Sequence, residues 1–179
     1  ADGDADGDMD GLSASWNDDK IAWYENDGNE NFTTHVITTN ANGAYSVFAA
    51  DVDADGDMDV LSASNNDNKI AWYENDGDES FRTHVITTNA DNAKSVFAAD
   101  IEAEGDMDVV SASRKDDKHA WYENDGNENF TTHVITTNAN GAYSVFAADI
   151  DAEGHRAVQC ASHMAQKTAR YHHDRDQDY

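Results

Sequence analysis

Cysteine and proline are nearly missing from this 179-residue chain, which contains one cysteine, Cys160, and no proline. One cysteine excludes an intrachain disulfide, whereas the lack of proline excludes no fold class. No apolar run approaches the roughly 18 residues of a membrane-spanning helix, so membrane insertion is not expected. The first residues carry neither the basic nor the apolar segment of a secretion signal.

Basic residues are also scarce, with 11 lysines and arginines against 37 aspartates and glutamates. The resulting net charge of −26 makes nucleic acid and anionic membranes poor partners. Nearly half of the acidic residues lie in the short stretches 2–10, 51–59, 100–108 and 149–157. Charge concentrated in this way predicts counter-ions at fixed positions rather than an evenly solvated acidic surface.

Motifs of enzyme chemistry are absent from the sequence. We find no pattern typical of a catalytic triad, a phosphate-binding glycine loop or a cysteine zinc site. No nucleophile recurs beside the repeated histidines His35, His84 and His133. We therefore expect that the protein is not an enzyme and that these histidines are half-exposed residues of an outer strand.

The chain repeats itself every 49 residues, as Gly7, Gly56, Gly105 and Gly154 show. Such a period marks a repeat architecture. The segment 22–51 is even identical to the segment 120–149. The period divides the chain into units at about 1–44, 45–93 and 94–142, a partial unit at 143–156, and a divergent C-terminal tail at 157–179.

Each unit has the pattern of four short strands. In the second unit, apolar, aromatic and β-branched segments at 45–51, 60–64, 69–75 and 81–88 are separated by polar, turn-like stretches. Four antiparallel strands in 49 residues are typical of a β-propeller blade. We predict an all-β fold, a β-propeller of 49-residue four-stranded blades with three full repeats plus a partial fourth. An elongated array of β-sandwich modules is the alternative, although such modules usually need about 100 residues.

The acidic stretch 51–59 has the residue types of a calcium-binding loop. Aspartate occupies every odd-numbered position, and Gly56 permits a sharp bend in the middle. Calcium binds about six to eight oxygen atoms, commonly from carboxylates at alternate loop positions and from a main-chain carbonyl. A bound cation would offset the mutual repulsion of these carboxylates, because each of them would be attracted to the cation. An EF-hand is excluded because Ser62 stands at its twelfth position and strand-like sequence flanks the loop.

The stretch FAADVDADGDMDVLSAS, followed by KIAWYEN, resembles the FG-GAP-like or VCBS-type repeats of bacterial extracellular proteins, which are relatives of the integrin alpha-chain repeats. The resemblance covers residues 1 to about 156 and implies a propeller with one calcium ion per blade, in the loop between its first two strands. The Phe-Gly and Gly-Ala-Pro sequences of the integrin repeats are absent, so the resemblance does not extend to integrin-like ligand recognition. The implied ligands of the first two loops are Asp2, Asp4, Asp6, Asp8, Asp10, Asp51, Asp53, Asp55, Asp57 and Asp59, with Asp8 and Asp57 acting through their main-chain carbonyls.

The third and fourth loops depart from this pattern. The third would use Asp100, Glu102, Glu104, Asp106 (through its carbonyl) and Asp108. We expect weaker binding there because the longer glutamate side chains fit the loop less well. The fourth retains Asp149, Asp151 and Glu153 but has Ala157 in place of the closing carboxylate, so it is expected to be weak or empty. The alternative for every loop is an acidic surface turn that binds no metal.

One tryptophan recurs in each unit, as Trp23, Trp72 and Trp121. These side chains would either stack on a sugar ligand or pack between blades, and packing requires one large residue at a constant site. The regular recurrence favours packing.

We expect a calcium-stabilised binding or adhesion module that acts outside the cell or at its surface on an unknown protein or glycan. The alternatives are a carbohydrate-binding lectin or accessory module of a secreted hydrolase, and a structural repeat fragment with no ligand beyond calcium. Propellers have about four to eight blades, so three units do not close a ring. A homo-oligomer is therefore expected to complete it.

Overall fold

The computed structural model describes residues 1–4, 6–148, 157–162 and 168–171. These residues form β-strands joined by turns and no helix, and no helix able to cross a membrane is found among them. The strands are β1 (Gly11–Ser15), β2 (Lys20–Asn26), β3 (Phe32–Thr38), β4 (Ala44–Ala50), β5 (Asp59–Ser64), β6 (Lys69–Asn75), β7 (Phe81–Thr87), β8 (Ala93–Ala99), β9 (Asp108–Ser113), β10 (Lys118–Asn124), β11 (Phe130–Thr136), β12 (Ala142–Ala148), β13 (Ala157–Ser162) and β14 (Thr168–Tyr171).

Within each sheet, every strand pairs antiparallel with the strand that precedes or follows it in the sequence. Strands β4 to β7 form one four-stranded sheet, and β8 to β11 form the next. The predicted unit of four antiparallel strands is therefore confirmed for the second and third repeats. Strands β1 to β3 make a three-stranded sheet that corresponds to the last three strands of a unit, and β12 to β14 make one that corresponds to the first three.

The last two strands lie in the segment predicted to be a divergent tail. β13 follows β9 by 49 residues, and it pairs with β12 in the register that β9 keeps with β8, with Ala142 opposite Ser162 as Ala93 is opposite Ser113. The fold of the repeat thus extends beyond the loss of its sequence pattern. Strand pairing is carried by backbone hydrogen bonds, and these do not depend on the lost side chains.

The second strand of each full sheet is buried on both faces. All six residues of β5 and of β9 are buried, which explains their small and apolar composition. The hydroxyl of Ser62 lies 3.1 Å from the hydroxyl of Tyr73 on β6, so a polar group in this interior is paired. The same pairing recurs between Ser111 and Tyr122 at 3.0 Å.

Consecutive sheets pack on one another through their first strands. The Phe48 ring on β4 lies 4.5 Å from the Phe97 ring on β8. The hydroxyl of Ser46 accepts a hydrogen bond from the Val96 N–H at 3.3 Å, and Ser95 and Val145 repeat this bond between β8 and β12. The same contact at successive repeats shows that the sheets stack in a regular order.

Candidate metal centre

The acidic loop 51–58 joins β4 to β5, and its closing residue Asp59 is fully buried at the start of β5. One carboxylate oxygen of Asp59 accepts the Val52 N–H at 2.9 Å, and the other accepts the Asn75 N–H at 2.8 Å. Asp59 therefore ties the beginning of the loop to the end of β6. The equivalent carboxylates accept the equivalent bonds in the first and third loops, through the pairs Asp10–Gly3, Asp10–Asn26, Asp108–Ile101 and Asp108–Asn124.

Some oxygen atoms of the loop carboxylates lack a partner. Asp51 accepts the Gly56 N–H at 3.2 Å through one oxygen, while its other oxygen is buried without a hydrogen bond. Carboxylate oxygens of Asp51, Asp53 and Asp59 lie within 4.8 Å of one another. Oxygen-only donors at this spacing suit a hard cation such as calcium, and an unpaired buried carboxylate oxygen is otherwise costly.

The first loop has the same features. A buried oxygen of Asp2 has no hydrogen bond, and carboxylate oxygens of Asp2, Asp4 and Asp6 lie within 4.8 Å of one another. The structure thus brings together some of the predicted ligands in each of the first two loops, although it selects Asp59 in one and Asp6 in the other.

The middle of the loop is shaped by backbone conformation. Gly56 has a φ of 101°, a value that residues with a Cβ rarely adopt. Beyond it, the carboxylate of Asp57 is directed towards the β6–β7 turn, where a Cβ added to Gly77 would lie 2.6 Å from it. This leaves the main-chain carbonyl of Asp57, rather than its side chain, for the predicted ligand role.

Burial makes the charge of these carboxylates unfavourable when no cation is bound. It raises the pKa of Asp59 to about 6, although the Asn75 and Val52 N–H groups act in the opposite direction. Burial likewise raises the pKa of Asp108 to about 6 and raises the pKa values of Asp53 and Asp4 above their ordinary range. A divalent cation would compensate for this cost.

The FG-GAP-like repeat family matches the chain over residues 2–62, 51–111 and 103–156. The chain belongs to this family. Comparison with curated proteins gives no match. The first two matches each run from one acidic loop through the next and include the strands between them. The acidic loops and the sheets of this FG-GAP-like chain are therefore the parts that match the family.

The third loop of this FG-GAP-like chain differs from the second at its first aspartate. Both oxygens of Asp100 accept hydrogen bonds at 3.0 Å, from the Glu104 and Gly105 N–H groups. This agrees with the expectation of weaker binding, which stays a prediction. The predicted ligands of the fourth loop, Asp149, Asp151 and Glu153, lie outside the described residues.

The recurring tryptophans of the repeats are buried. Trp72 has no exposed surface, and the exposed fractions of Trp23 and Trp121 are 3% and 7%. Each ring stacks on the histidine of the neighbouring strand, at 4.5, 4.4 and 4.5 Å for His35, His84 and His133. These rings offer no open face to a sugar, so the geometry favours the packing role.

Sequence reasoning missed the partners of the histidines. His35, His84 and His133 pair with Glu25, Glu74 and Glu123 at 2.7, 2.5 and 2.6 Å. Oxygen atoms of Glu74 and Glu128 and a nitrogen of His84 lie within 4.8 Å of one another. The constant spacing of ten residues between glutamate and histidine was the available signal. Stacking on tryptophan and hydrogen bonding to glutamate account for the recurrence of these histidines.

Proposed function

We propose that this FG-GAP-like chain is a calcium-binding β-propeller module for extracellular binding or adhesion, in which calcium has a structural role. The observation that carries the proposal is the buried, unpaired carboxylate oxygen of Asp51, placed beside the carboxylates of Asp53 and Asp59. Asp2 repeats it in the first loop. Acidic turns that bind no metal would be expected to expose such oxygens to water.

Calcium would be held by the oxygen atoms of Asp51, Asp53, Asp55 and Asp59 and by the carbonyl of Asp57, with the corresponding residues in the other loops. The ion would neutralise carboxylates that the fold brings together and would fix the connection between the first two strands of each sheet. Sites built from such loops have modest affinity when they serve extracellular modules. An extracellular setting therefore suits the proposal.

The proposed propeller ring is supported by the packing between consecutive sheets. Each sheet contacts the next through its first strand, by the repeated bond from Val96 to Ser46 and from Val145 to Ser95. Further sheets added by the same contact around an axis would give a propeller. We propose that further copies of the chain complete the ring, which measurement of the mass in solution would test.

Thermal unfolding in calcium and after chelation tests the metal role. Calcium is expected to raise the melting temperature by several degrees, since a ligand that binds only the folded state stabilises it. Asp51→Asn should reduce this rise. Asp78→Asn is the matched control, because it makes the same charge change at an exposed turn where the other units have Asn29 and Asn127. An equal melting temperature with and without calcium would overturn the proposal.

A further inference from the structure

Among the described residues, a cluster of aromatic and basic side chains lies away from the acidic loops. It consists of Trp16, Tyr45, Lys94, Arg114 and Tyr143, and is called the aromatic–cation cluster below. Tyr45, Lys94 and Tyr143 occupy the same position of successive units, and Trp16 and Arg114 share a second position. The units thus differ at the two positions that build this cluster.

Four side chains of the cluster are in direct contact, and Arg114 acts on Lys94 and Tyr45 through its charge. The Lys94 ammonium lies 3.8 Å from the ring centre of Tyr45 and 5.2 Å from that of Trp16. The Trp16 and Tyr45 rings meet edge to face at 5.7 Å, and the Tyr45 and Tyr143 rings at 5.9 Å. The hydroxyls of Tyr45 and Tyr143 are hydrogen-bonded to each other. Residues from four sheets therefore contact one another, with Trp16 between β1 and β2, and Tyr45, Lys94 and Tyr143 on β4, β8 and β12.

Backbone irregularities place these side chains. The pairing of β4 with β5 skips Tyr45, and the equivalent pairings skip Lys94 and Tyr143. Each of the three is the extra residue of a β-bulge. Bulges redirect a side chain and recur beside functional sites. The bulges therefore bring Tyr45, Lys94 and Tyr143 together, although each belongs to a different unit.

Lys94 is exceptional in its electrostatic surroundings. Lys20, Lys69, Lys115 and Lys118 each lie within ion-pairing distance of an aspartate. Among the described residues Lys94 has no carboxylate partner, although its exposed fraction is 9%. Burial and the charge of Arg114 both lower its pKa. A buried cation without a counter-ion is costly, and an anionic ligand would supply the missing charge.

We propose that the aromatic–cation cluster binds a carboxylate-bearing saccharide. Lys94 and Arg114 would hold the carboxylate, since charge-assisted contacts to carboxylates are the strong ones. Trp16 and Tyr143, with exposed fractions of 40% and 39%, would stack on the sugar ring. The charge complementarity is local, because the rest of the surface is acidic and would repel an anion elsewhere.

Calorimetric titration of the whole chain in calcium with a hyaluronan tetrasaccharide tests the proposal. The carboxyl-reduced tetrasaccharide, in which each carboxylate becomes an alcohol, is the matched ligand control. We expect binding of the first and at least about tenfold weaker binding of the second, since loss of a charged contact costs more than 1.4 kcal/mol. A short polyglutamate peptide is the third ligand. Equal binding of the reduced sugar, tighter binding of the peptide, or no binding of the tetrasaccharide would overturn the proposal.

Variants that copy the residues of the other units are expected to keep the fold intact. Lys94→Tyr introduces the residue of positions 45 and 143, and Trp16→Asn introduces the residue of position 65. Each should weaken binding about tenfold or more. Lys115→Asn removes a neighbouring charge, with Asn17 and Asn66 as precedents, and should leave binding unchanged. The melting temperature of each variant in calcium shows whether the calcium-dependent fold persists, which separates failure of this site from failure of the proposed metal role. Unchanged binding by Lys94→Tyr would refute the assignment.

Discussion

Asp59 and Asn75 join the acidic loop to the third strand of its sheet, because the Asp59 carboxylate accepts the Asn75 N–H at 2.8 Å. The second oxygen of the same carboxylate accepts the Val52 N–H. Asp59 therefore holds the loop closed through two backbone N–H groups. A residue with both a structural and a proposed metal role should be more sensitive to substitution than a residue with the metal role alone.

Replacing Asp59 by alanine tests this dual role. In saturating calcium, Asp59→Ala is expected to lower the free energy of unfolding by at least about 3 kcal/mol, since it leaves two buried N–H groups unpaired and removes a ligand. Asp55→Ala is the control, because Asp55 lies on the exposed side of the loop and accepts one bond there, from the Asp57 N–H. Denaturant unfolding of both variants in calcium gives the comparison. An equal loss in the two variants would contradict the structural role of Asp59.

Gly56 gives a second prediction, which isolates backbone conformation from packing. Its φ is 101°, and a Cβ at this position would meet no atom within 4 Å. Gly56→Ala should therefore destabilise the protein by about 1–2 kcal/mol through backbone strain alone.

Gly11→Ala is the control for Gly56→Ala. At Gly11 an added Cβ would make ordinary contact with Tyr24 at 3.6 Å, and the equivalent residues are Val60 and Val109. This variant should be neutral or slightly more stable, because glycine weakens strands. Denaturant midpoints in calcium measure both effects, and a neutral Gly56→Ala would show that the loop tolerates another conformation.

Much of the fold was predictable from the repeat pattern. The segments predicted as strands at 60–64, 69–75 and 81–88 correspond closely to β5, β6 and β7. The pattern of apolar and polar residues within a short segment is a local signal, and the position of a strand depends mainly on it. The tail was less predictable, since β13 is held by pairing with β12 and not by a pattern of its own.

The two candidate sites, the acidic loops and the aromatic–cation cluster, also differ in how far the sequence predicts them. The acidic loop was evident because its ligands are close in sequence, whereas the contact between Lys94 and Trp16 depends on how separate sheets stack. The bulges that redirect Tyr45 and Tyr143 also could not be recognised from the sequence of a single unit. The visible signal was that the units differ at these positions.

His119 is the site of a third prediction, which concerns pH. It is fully buried on β10 at the position that Ile21 and Ile70 occupy in the preceding units. Burial lowers the pKa of His119 to about 4 from its ordinary value of 6.5. The folded state therefore disfavours the protonated ring. The stability associated with the neutral ring is present above pH 6.5 and is lost as the pH falls from 6.5 towards 4.

His119→Ile should remove this pH dependence. Between pH 7 and pH 4 the parent protein is expected to lose about 3 kcal/mol more unfolding free energy than the variant, since each pKa unit corresponds to about 1.4 kcal/mol. The acidic loops titrate in both proteins, so their contribution cancels in the difference. Denaturant unfolding of both proteins at several pH values, without metal, measures it. Parallel stability curves across this range would show that His119 is protonated in the fold without cost.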